Sequence, residues 1–123
     1  MFSGSGNLLY YPTWWLIAKV EGDICKYYRT LVKFYNRSLK LNPPKHGAHI
    51  TIIAGKYEKP SNENLWNKYQ GDRIEFEYDP FITIDREYFW VEVKCKRIED
   101  IREELGLPRT IIHPWHLTIG NTI

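Results

Sequence analysis

The chain has 123 residues, with 17 Lys and Arg against 15 Asp and Glu, a formal net charge of +2 and an aromatic content of 15%. This length supports one domain with a sizeable core, over residues 1–123, and is too short for two. A net charge this small argues against the polybasic surface that binds long nucleic acids. A small anion in a local pocket is the better expectation.

The compartment is inferred from what the sequence lacks. The first residues, MFSGSG, have neither the basic segment nor the apolar core of a signal peptide, and no apolar run is long enough to span a membrane. Cys25 and Cys95 are isolated and match no metal spacing, which is typical of reduced thiols. We therefore expect a monomeric, cytoplasmic protein with no membrane partner.

The first part of the chain predicts a strand and then a helix. MFSGSG is expected to be flexible, and NLLYYPTWWLIAKV to contain a strand, most securely over residues 14–20. Glu21-Gly22 ends it, and Asp23 can cap a helix that runs to about Leu39. The apolar face of this helix recurs at spacings of three and four, at Ile24, Tyr28, Leu31, Tyr35 and Leu39.

The second part predicts a short helix, three strands and another helix. Pro60-Ser61 begins a helix in the connection 56–71, and the alternating RIEFEY of residues 73–78 predicts a half-buried strand. FITIDREYFWVEVKC predicts a hairpin that turns near residues 85–87. The last helix presents Ile98, Ile101 and Leu105 to the core and ends at Gly106.

All four histidines fall in two matching strings, HGAHITIIAG at 46–55 and HPWHLTIG at 113–120. Both follow the pattern His-x-x-His-Φ-Thr-Ile, where Φ is apolar, and such a repeat indicates one unit used twice. Residues two apart on a strand point to the same face. Each strand therefore offers one imidazole and one hydroxyl side by side, from His49 and Thr51 and from His116 and Thr118.

The repeat extends to the predicted elements, because a strand and a helix precede each His-x-Thr strand. Two such units related by a pseudo-twofold axis would bring both motifs to one central cleft. The sequence thus predicts a bilobal α+β fold of duplicated strand–helix–strand units, with mainly antiparallel sheets lining the cleft and helices outside.

The two motifs contain the groups that phosphodiester cleavage requires. Imidazole titrates near pH 6.5, so one histidine can act as general base while the other acts as general acid. The threonine hydroxyls can donate hydrogen bonds to phosphate oxygens. A single His-x-Thr is usually a chance core pattern, but its repetition favours catalysis by His49, Thr51, His116 and Thr118 without metal or cofactor.

A metal site is the alternative use of the histidine pairs. His46 and His113 each precede a motif histidine by three residues, and on an extended strand such residues point to opposite faces. No carboxylate or thiolate lies in either string to complete a site. We therefore expect no bound metal, and we expect His46 and His113 to orient the loops.

Five further residues are candidates for binding the substrate. Tyr11 and Tyr57 are predicted at the cleft, where either could stack on a nucleobase. Lys45 and Arg109 lie just before the two strings and could neutralise a phosphate. Trp115 precedes His116, and it could contact the substrate or belong to the core.

The paired motifs resemble those of the two-histidine (2H) phosphoesterases, a superfamily that includes RNA-ligase-like cyclic phosphodiesterases and small viral enzymes that destroy nucleotide second messengers. The resemblance rests on His49, Thr51, His116, Thr118 and their apolar neighbours. In length and in the string PWHLTIG the chain is similar to phage enzymes that linearise cyclic oligonucleotides of CBASS-type defence. This resemblance implies a bilobal fold and a small cyclic or linear oligoribonucleotide as substrate, in the host cytoplasm if the source is viral.

Other functions stay open at this stage. Within the superfamily, cleavage of 2′-5′ oligoadenylate or opening of a 2′,3′- or 1″,2″-cyclic phosphate would use the same groups. A protein that sequesters a nucleotide without cleaving it, or one that binds metal through its histidines, are the alternatives from other classes. The nucleophile is water or a ribose 2′-hydroxyl, because the motifs provide none of their own.

Overall fold

The structure, a computed structural model, describes residues 1–123. It contains seven strands and two α-helices. In chain order they are β1 (Phe2–Tyr11), β2 (Trp15–Val20), α1 (Ile24–Tyr35), β3 (His49–Ile53), β4 (Arg73–Tyr78), β5 (Thr83–Asp85), β6 (Tyr88–Lys94), α2 (Lys96–Glu104) and β7 (His116–Asn121).

Six of the strands form a closed antiparallel barrel. They pair in the order β4-β1-β2-β3-β7-β6, and β6 returns to β4 through the pairs Glu77–Lys94 and Tyr78–Val93. Strand β5 lies outside the ring as the other arm of a hairpin with β6. The predicted bilobal α+β arrangement is therefore wrong, since the two halves share one continuous ring of strands.

A single core explains why the halves do not separate into lobes. One cluster of 23 buried residues combines the inward side chains of the six ring strands with side chains from both helices. Helix α1 contributes Cys25 and Tyr28, and α2 contributes Ile98 and Ile101. The helices complete this shared core, so they do not cover the outside of two separate sheets. The predicted face of α2 is confirmed, whereas the face predicted for α1 is confirmed at Ile24, Tyr28 and Leu31 and is wrong at Tyr35, which is exposed.

Strand β1 corrects the prediction that the chain start is flexible. It pairs with β2 on one side and with β4 on the other, so it is required for closure of the ring. Its glycines reflect close packing: a Cβ atom on Gly6 would lie 2.6 Å from the Lys19 carbonyl oxygen, and one on Gly4 would lie 2.6 Å from the Phe76 ring. Glycine in a strand can mark such an approach as well as flexibility.

The helix predicted in the first part is too long, and the helix predicted in the connection 56–71 is wrong. Helix α1 ends at Tyr35, whose side chain is 81% exposed, and the chain continues to β3 without regular structure. The connection 56–71 contains only a single 3₁₀ turn, Glu63–Leu65. Its Trp66 packs on Tyr10 and Trp14 with ring centroids 4.9 and 5.1 Å apart, and this packing replaces the regular helical face.

The other predicted elements are confirmed, including the β5–β6 hairpin, α2 and both motif strands. The repeated order of strand, helix and motif strand is also present, as β2-α1-β3 and again as β6-α2-β7. We call these two segments the first and second half. No helix is long and apolar enough to cross a membrane.

Candidate active site

The two motif strands are neighbours in the barrel. Ile50 of β3 pairs with Leu117 of β7 in an antiparallel ladder. In such a ladder the residues on either side of a pair also oppose each other, so His49 is opposite Thr118 and Thr51 is opposite His116. The two histidines are then diagonal neighbours, and residues so placed lie roughly 7–8 Å apart, with the Cβ atoms somewhat closer.

The motif side chains project from the barrel, as the strand alternation predicts. Ile50 and Leu117 are fully buried and point into the core. His49, Thr51 and Thr118 are partly exposed, and His116 is exposed. The four predicted catalytic residues thus share one outer face of the barrel, above a floor of buried aliphatic side chains.

Both motif histidines make the same local hydrogen bond. Nδ1 of His49 lies 2.8 Å from the Gly47 carbonyl oxygen, and Nδ1 of His116 lies 3.2 Å from the Pro114 carbonyl oxygen. A carbonyl oxygen only accepts, so each Nδ1 must carry the proton and donate it. Nε2 of each ring is then left to accept a proton when the ring is neutral or to donate one when it is charged.

A tryptophan lies beside each of these histidines. The Trp15 ring on β2 is 6.1 Å from the His49 ring, and the Trp90 ring on β6 is 5.3 Å from the His116 ring. Strands β2 and β6 occupy the same position in the two halves. The repeat therefore extends from the motifs to the aromatic side chains that hold the imidazoles in place.

Each motif strand also bulges immediately after its threonine. The pairing of β3 with β2 shifts between Thr51 and Ile53, and the pairing of β7 with β6 shifts between Thr118 and Gly120. The residues in the bulges are Ile52 and Ile119. A bulge bends a strand and redirects the neighbouring side chains, and bulges are frequent next to active sites.

The carbonyl group of each bulge residue accepts a hydrogen bond from an arginine of the other half. Arg102 of α2 donates from Nη1 to the Ile52 oxygen at 2.9 Å. Arg29 of α1 donates from Nη1 to the Ile119 oxygen at 2.7 Å. Each helix therefore supports the motif strand that belongs to the opposite half.

The two arginines differ in their surroundings. Arg102 is fully buried, and both of its terminal nitrogens donate to Glu58, with Nη2 at 2.8 Å from Oε1. Its Nε donates to the Pro108 oxygen, and its guanidinium lies 5.2 Å from the centre of the Trp115 ring. Arg29 is only partly buried and is in no ion pair with a carboxylate.

The protonation of His116 is shifted toward the neutral form. Burial among protein atoms lowers the pKa of His116 below its ordinary value of 6.5, although part of the residue surface remains open to solvent. The hydrogen bond to Pro114 opposes this shift, while the nearby His113 and His49 add to it by charge repulsion. A lowered pKa favours a general base, because Nε2 then stays unprotonated at neutral pH.

A groove of three adjoining cavities crosses the motif face, and we call it the histidine groove. The largest, about 670 Å³, contains Thr51, Tyr57, the apolar Ile111 and Ile112, and His113 in its lining. The second, about 380 Å³, is lined by Trp90, His113, His116 and Thr118 among others. The third, about 520 Å³, includes Lys45, His46, His49, Tyr88 and Thr118. Cavities of this size accommodate small molecules.

The five predicted substrate-binding residues are distributed unevenly around this groove. Lys45 lines the third cavity, and Tyr57, 79% exposed, lines the first. Trp115 is a buried core residue that also forms part of the wall of the first cavity. Tyr11 packs on Trp15 with ring centroids 4.9 Å apart, outside the three cavities. Arg109 pairs with three carboxylates, so its phosphate role stays a prediction that would require exchanging them.

Sequence reasoning missed several residues of the groove. Tyr88 and Trp90 line it, whereas the sequence predicts only a hairpin arm for YFWVEVKC. Lys19 is paired with His49 across β2 and β3 and is exposed. Period-two alternation places Tyr88 and Trp90 on the outward side of β6. What it could not reveal is which strands flank the motifs.

The remaining histidines and the cysteines have other surroundings. His46 lies beside both Trp15 and His49, with ring centroids 5.5 and 6.4 Å away. No group of three or more His, Cys, Asp or Glu is arranged to hold a metal ion. Cys25 and Cys95 are buried free thiols, and burial raises the pKa of Cys25 to about 11, so neither is an activated nucleophile.

No protein-family model, curated protein or solved structure matches this chain. Its resemblance to the two-histidine phosphoesterases therefore rests on the duplicated motif, and the functional argument rests on the geometry of the site.

Proposed function

We propose that this protein is a metal-independent phosphodiesterase that cleaves small cyclic oligonucleotides by acid–base catalysis with His49 and His116. The observation that carries the proposal is the matched pair of imidazoles on adjacent strands. Each donates Nδ1–H to a backbone carbonyl and keeps Nε2 for the substrate. A threonine opposite each histidine supplies a hydroxyl donor on the same face.

The reaction moves one proton at each end of the scissile bond. One imidazole takes the proton of the attacking hydroxyl while the attacking oxygen forms a bond to phosphorus. The bond from phosphorus to the leaving oxygen breaks, and the second imidazole, initially charged, donates its Nε2 proton to that oxygen. Thr51 and Thr118 donate hydrogen bonds to the non-bridging oxygens as their charge is redistributed.

The base and the acid are assigned from the surroundings of the two rings. The lowered pKa of His116 suits the base, which must be neutral before the reaction. His49 is then the acid, because the reaction needs one partner of each kind. Lys19 is paired with His49 across the strands, and Lys45 lines the same cavity as His49. These cations also suit the approach of an anionic substrate.

The substrate class is inferred from the groove and from the resemblance of the motifs. The first cavity joins apolar side chains to Thr51 and can take a nucleobase, while the other two surround both histidines. A ligand with more than one nucleotide would use all three cavities. The similarity to phage enzymes adds that cyclic oligonucleotides of anti-phage signalling are the first compounds to test.

The proposal is tested by incubating the purified protein, with EDTA present, with a panel of nucleotides and separating the products by mass spectrometry. The panel contains cyclic di- and trinucleotides with 3′-5′ and 2′-5′ linkages, linear 2′-5′ oligoadenylate and nucleoside 2′,3′-cyclic phosphates. The double variant His49→Ala/His116→Ala is the matched control. Attack by the ribose hydroxyl beside the phosphate, 2′ in a 3′-5′ linkage and 3′ in a 2′-5′ linkage, leaves a cyclic phosphate. Attack by water leaves a product heavier by one water molecule and is the only route for the nucleoside 2′,3′-cyclic phosphates.

We expect product from the wild type and none above background from the double variant. Absence of product from every compound would overturn the proposal, as would activity that EDTA abolishes and a divalent ion restores. Tight binding of a nucleotide without turnover, equal in both proteins, would instead identify a sequestering protein.

A further inference from the structure

The positive charge of this protein is concentrated in one stretch of the chain. Residues 24–57 contain seven Lys and Arg and no Asp or Glu, while the whole chain has a net charge of only +2. The stretch covers α1, the loop that follows it and β3. The overall charge therefore conceals a basic region and an acidic remainder.

The cations of α1 and its following loop have no carboxylate partners. The ion pairs of the structure involve Lys59, Lys68, Arg73, Arg97, Arg102 and Arg109, all outside residues 24–57. Arg29 and Lys33 are four residues apart on α1, a spacing at which like charges destabilise a helix. The helix dipole favours a cation in the last turn, which accounts for Lys33, but Arg37 and Lys40 lie beyond the helix.

Four of these cations surround one cavity, which we call the basic cavity. It has a volume of about 380 Å³, and its charged lining consists only of Arg29, Lys33, Arg37 and Lys40. Arg29 is held in place by its bond to the Ile119 oxygen, whereas the other three side chains are exposed. Repulsion among four cations is relieved when an anion binds between them, and Arg and Lys are the usual partners of phosphate.

The basic cavity lies close to the histidine groove. Leu41 lines the basic cavity, and the next residue, Asn42, lines the groove and pairs with Asn121 at the end of β7. Arg29 contacts the same strand one residue after Thr118. A ligand with several phosphates could therefore hold one at the histidines and another in the basic cavity.

We propose that the basic cavity is a second phosphate-binding site, which takes a phosphate group that is not cleaved. Where that phosphate belongs to the oligonucleotide in the histidine groove, the inference rests on the proposed function. Binding of a free phosphate compound does not depend on it. The two sources share the same recognition by Lys33, Arg37 and Lys40 and are separated by the experiment.

The test compares two triple variants with the same change in net charge. Lys33→Gln/Arg37→Gln/Lys40→Gln removes exposed cations from the basic cavity and leaves Arg29 in place. Lys26→Gln/Lys94→Gln/Lys96→Gln removes three exposed cations that do not line it. Because all six side chains are exposed, both variants are expected to fold, which circular dichroism and thermal unfolding verify.

Binding is measured first, with inorganic pyrophosphate as the probe and amide chemical shifts as the readout. We expect shifts at Thr30, Lys33 and Ser38 in the wild type and in the control variant, with affinity lowered at least about fivefold in the cavity variant, as expected when exposed charge pairs are removed. The affinity in the wild type should also fall as the salt concentration rises. Equal affinity in the two variants, or shifts confined to the histidine groove, would overturn the second site.

Turnover then identifies the source of the phosphate. If the basic cavity holds part of the same oligonucleotide, the cavity variant raises KM for a cyclic dinucleotide, leaves kcat unchanged and leaves KM unchanged for a nucleoside 2′,3′-cyclic phosphate. Weakened pyrophosphate binding with unchanged KM for both substrates supports the site and assigns it to a separate phosphate compound. A protein with no turnover at all refutes the proposed function, and the pyrophosphate titration still decides about the basic cavity.

Discussion

The two halves of the barrel are alike in geometry and different in charge. In both, a histidine donates Nδ1–H to the carbonyl two residues before it, a tryptophan packs on its ring, and the strand bulges after the threonine. The first half, residues 15–53, carries seven basic and two acidic residues, whereas the second half, residues 88–121, carries five of each. Under the proposed function, the shared features would serve the acid–base chemistry, and the difference in charge would orient an anionic substrate.

The largest difference from the wild type is expected when one imidazole is removed at a time, which tests whether both halves take part in catalysis. We expect His49→Ala and His116→Ala each to lower kcat by about 10²–10⁴-fold, the usual contribution of a general acid or base. Both rings lie on the outer face of the barrel, so the fold should persist. Turnover is measured by mass spectrometry and folding by circular dichroism. Either variant with nearly wild-type turnover would contradict the two-imidazole mechanism.

The two arginines should differ most in their effect on stability. Arg102→Ala leaves Glu58 without its buried partner, and the loss of such a partner costs about 3–5 kcal/mol of unfolding free energy. Arg29→Ala removes one hydrogen bond at a partly exposed side chain and should cost about 1 kcal/mol. Urea denaturation of both variants measures the difference. Equal losses would show that burial of the Arg102 pair contributes nothing extra.

The threonines should give smaller effects on turnover than the histidines. Thr51→Val and Thr118→Val keep the branched shape that suits a strand and remove only the hydroxyl donor. A hydrogen bond to a charged group is worth about 1.5–3 kcal/mol, so kcat should fall roughly 10- to 100-fold. Similar losses at the two positions would fit the pseudo-symmetry of the site. Wild-type rates in both variants would remove the threonines from the mechanism.

The smallest expected effect distinguishes the two histidines by their titration. The pKa of His116 lies below 6.5, so its neutral form persists to lower pH and the acidic limb of the rate profile falls below 6.5. Because the unfolded chain binds that proton more tightly, the protein also loses stability as the pH falls from 6.5 toward the lowered pKa. The ring faces His49, His113 and, across the β6–β7 pair, Glu92.

NMR titration of the imidazole ring protons measures this shift directly. In His113→Ala, which removes one repulsive neighbour, the pKa of His116 should rise slightly and stay below 6.5, since burial is the main cause. A value at or above 6.5 in the wild type would contradict the assignment of His116 as the base.

The sequence predicted local features well and the closure of the barrel poorly. The alternation around His49 and His116 is sufficient to assign which side chains share a face, because period-two alternation is a property of any half-buried strand. The glycines of β1 were interpreted as flexibility, since the close approach of Gly6 to β2 exists only after the ring has closed. Because the sequence does not reveal this closure, it predicts two lobes where the structure has one barrel.

The two arginines that bind the bulges could not be identified from the sequence, for a related reason. Arg29 and Arg102 look like ordinary helix residues, and only the packing of α1 on β7 and of α2 on β3 brings them to the bulges. The basic cavity could have been suspected earlier, because the absence of acidic residues over 24–57 is evident in the sequence. The net charge of +2 conceals this stretch, because it sums the basic residues of 24–57 with the acidic remainder of the chain.

The crossed arginines have a consequence for the origin of the chain. Neither half supplies the arginine for its own bulge, because the arginine that reaches each bulge comes from the helix of the other half. An ancestor of half this length would therefore have needed a second copy, and in a symmetric dimer each copy's helix would have reached the other's strand. After gene fusion, the sequences of the two copies would have been free to diverge. One copy could then become basic, while the arginine bonds between the two copies stayed the same.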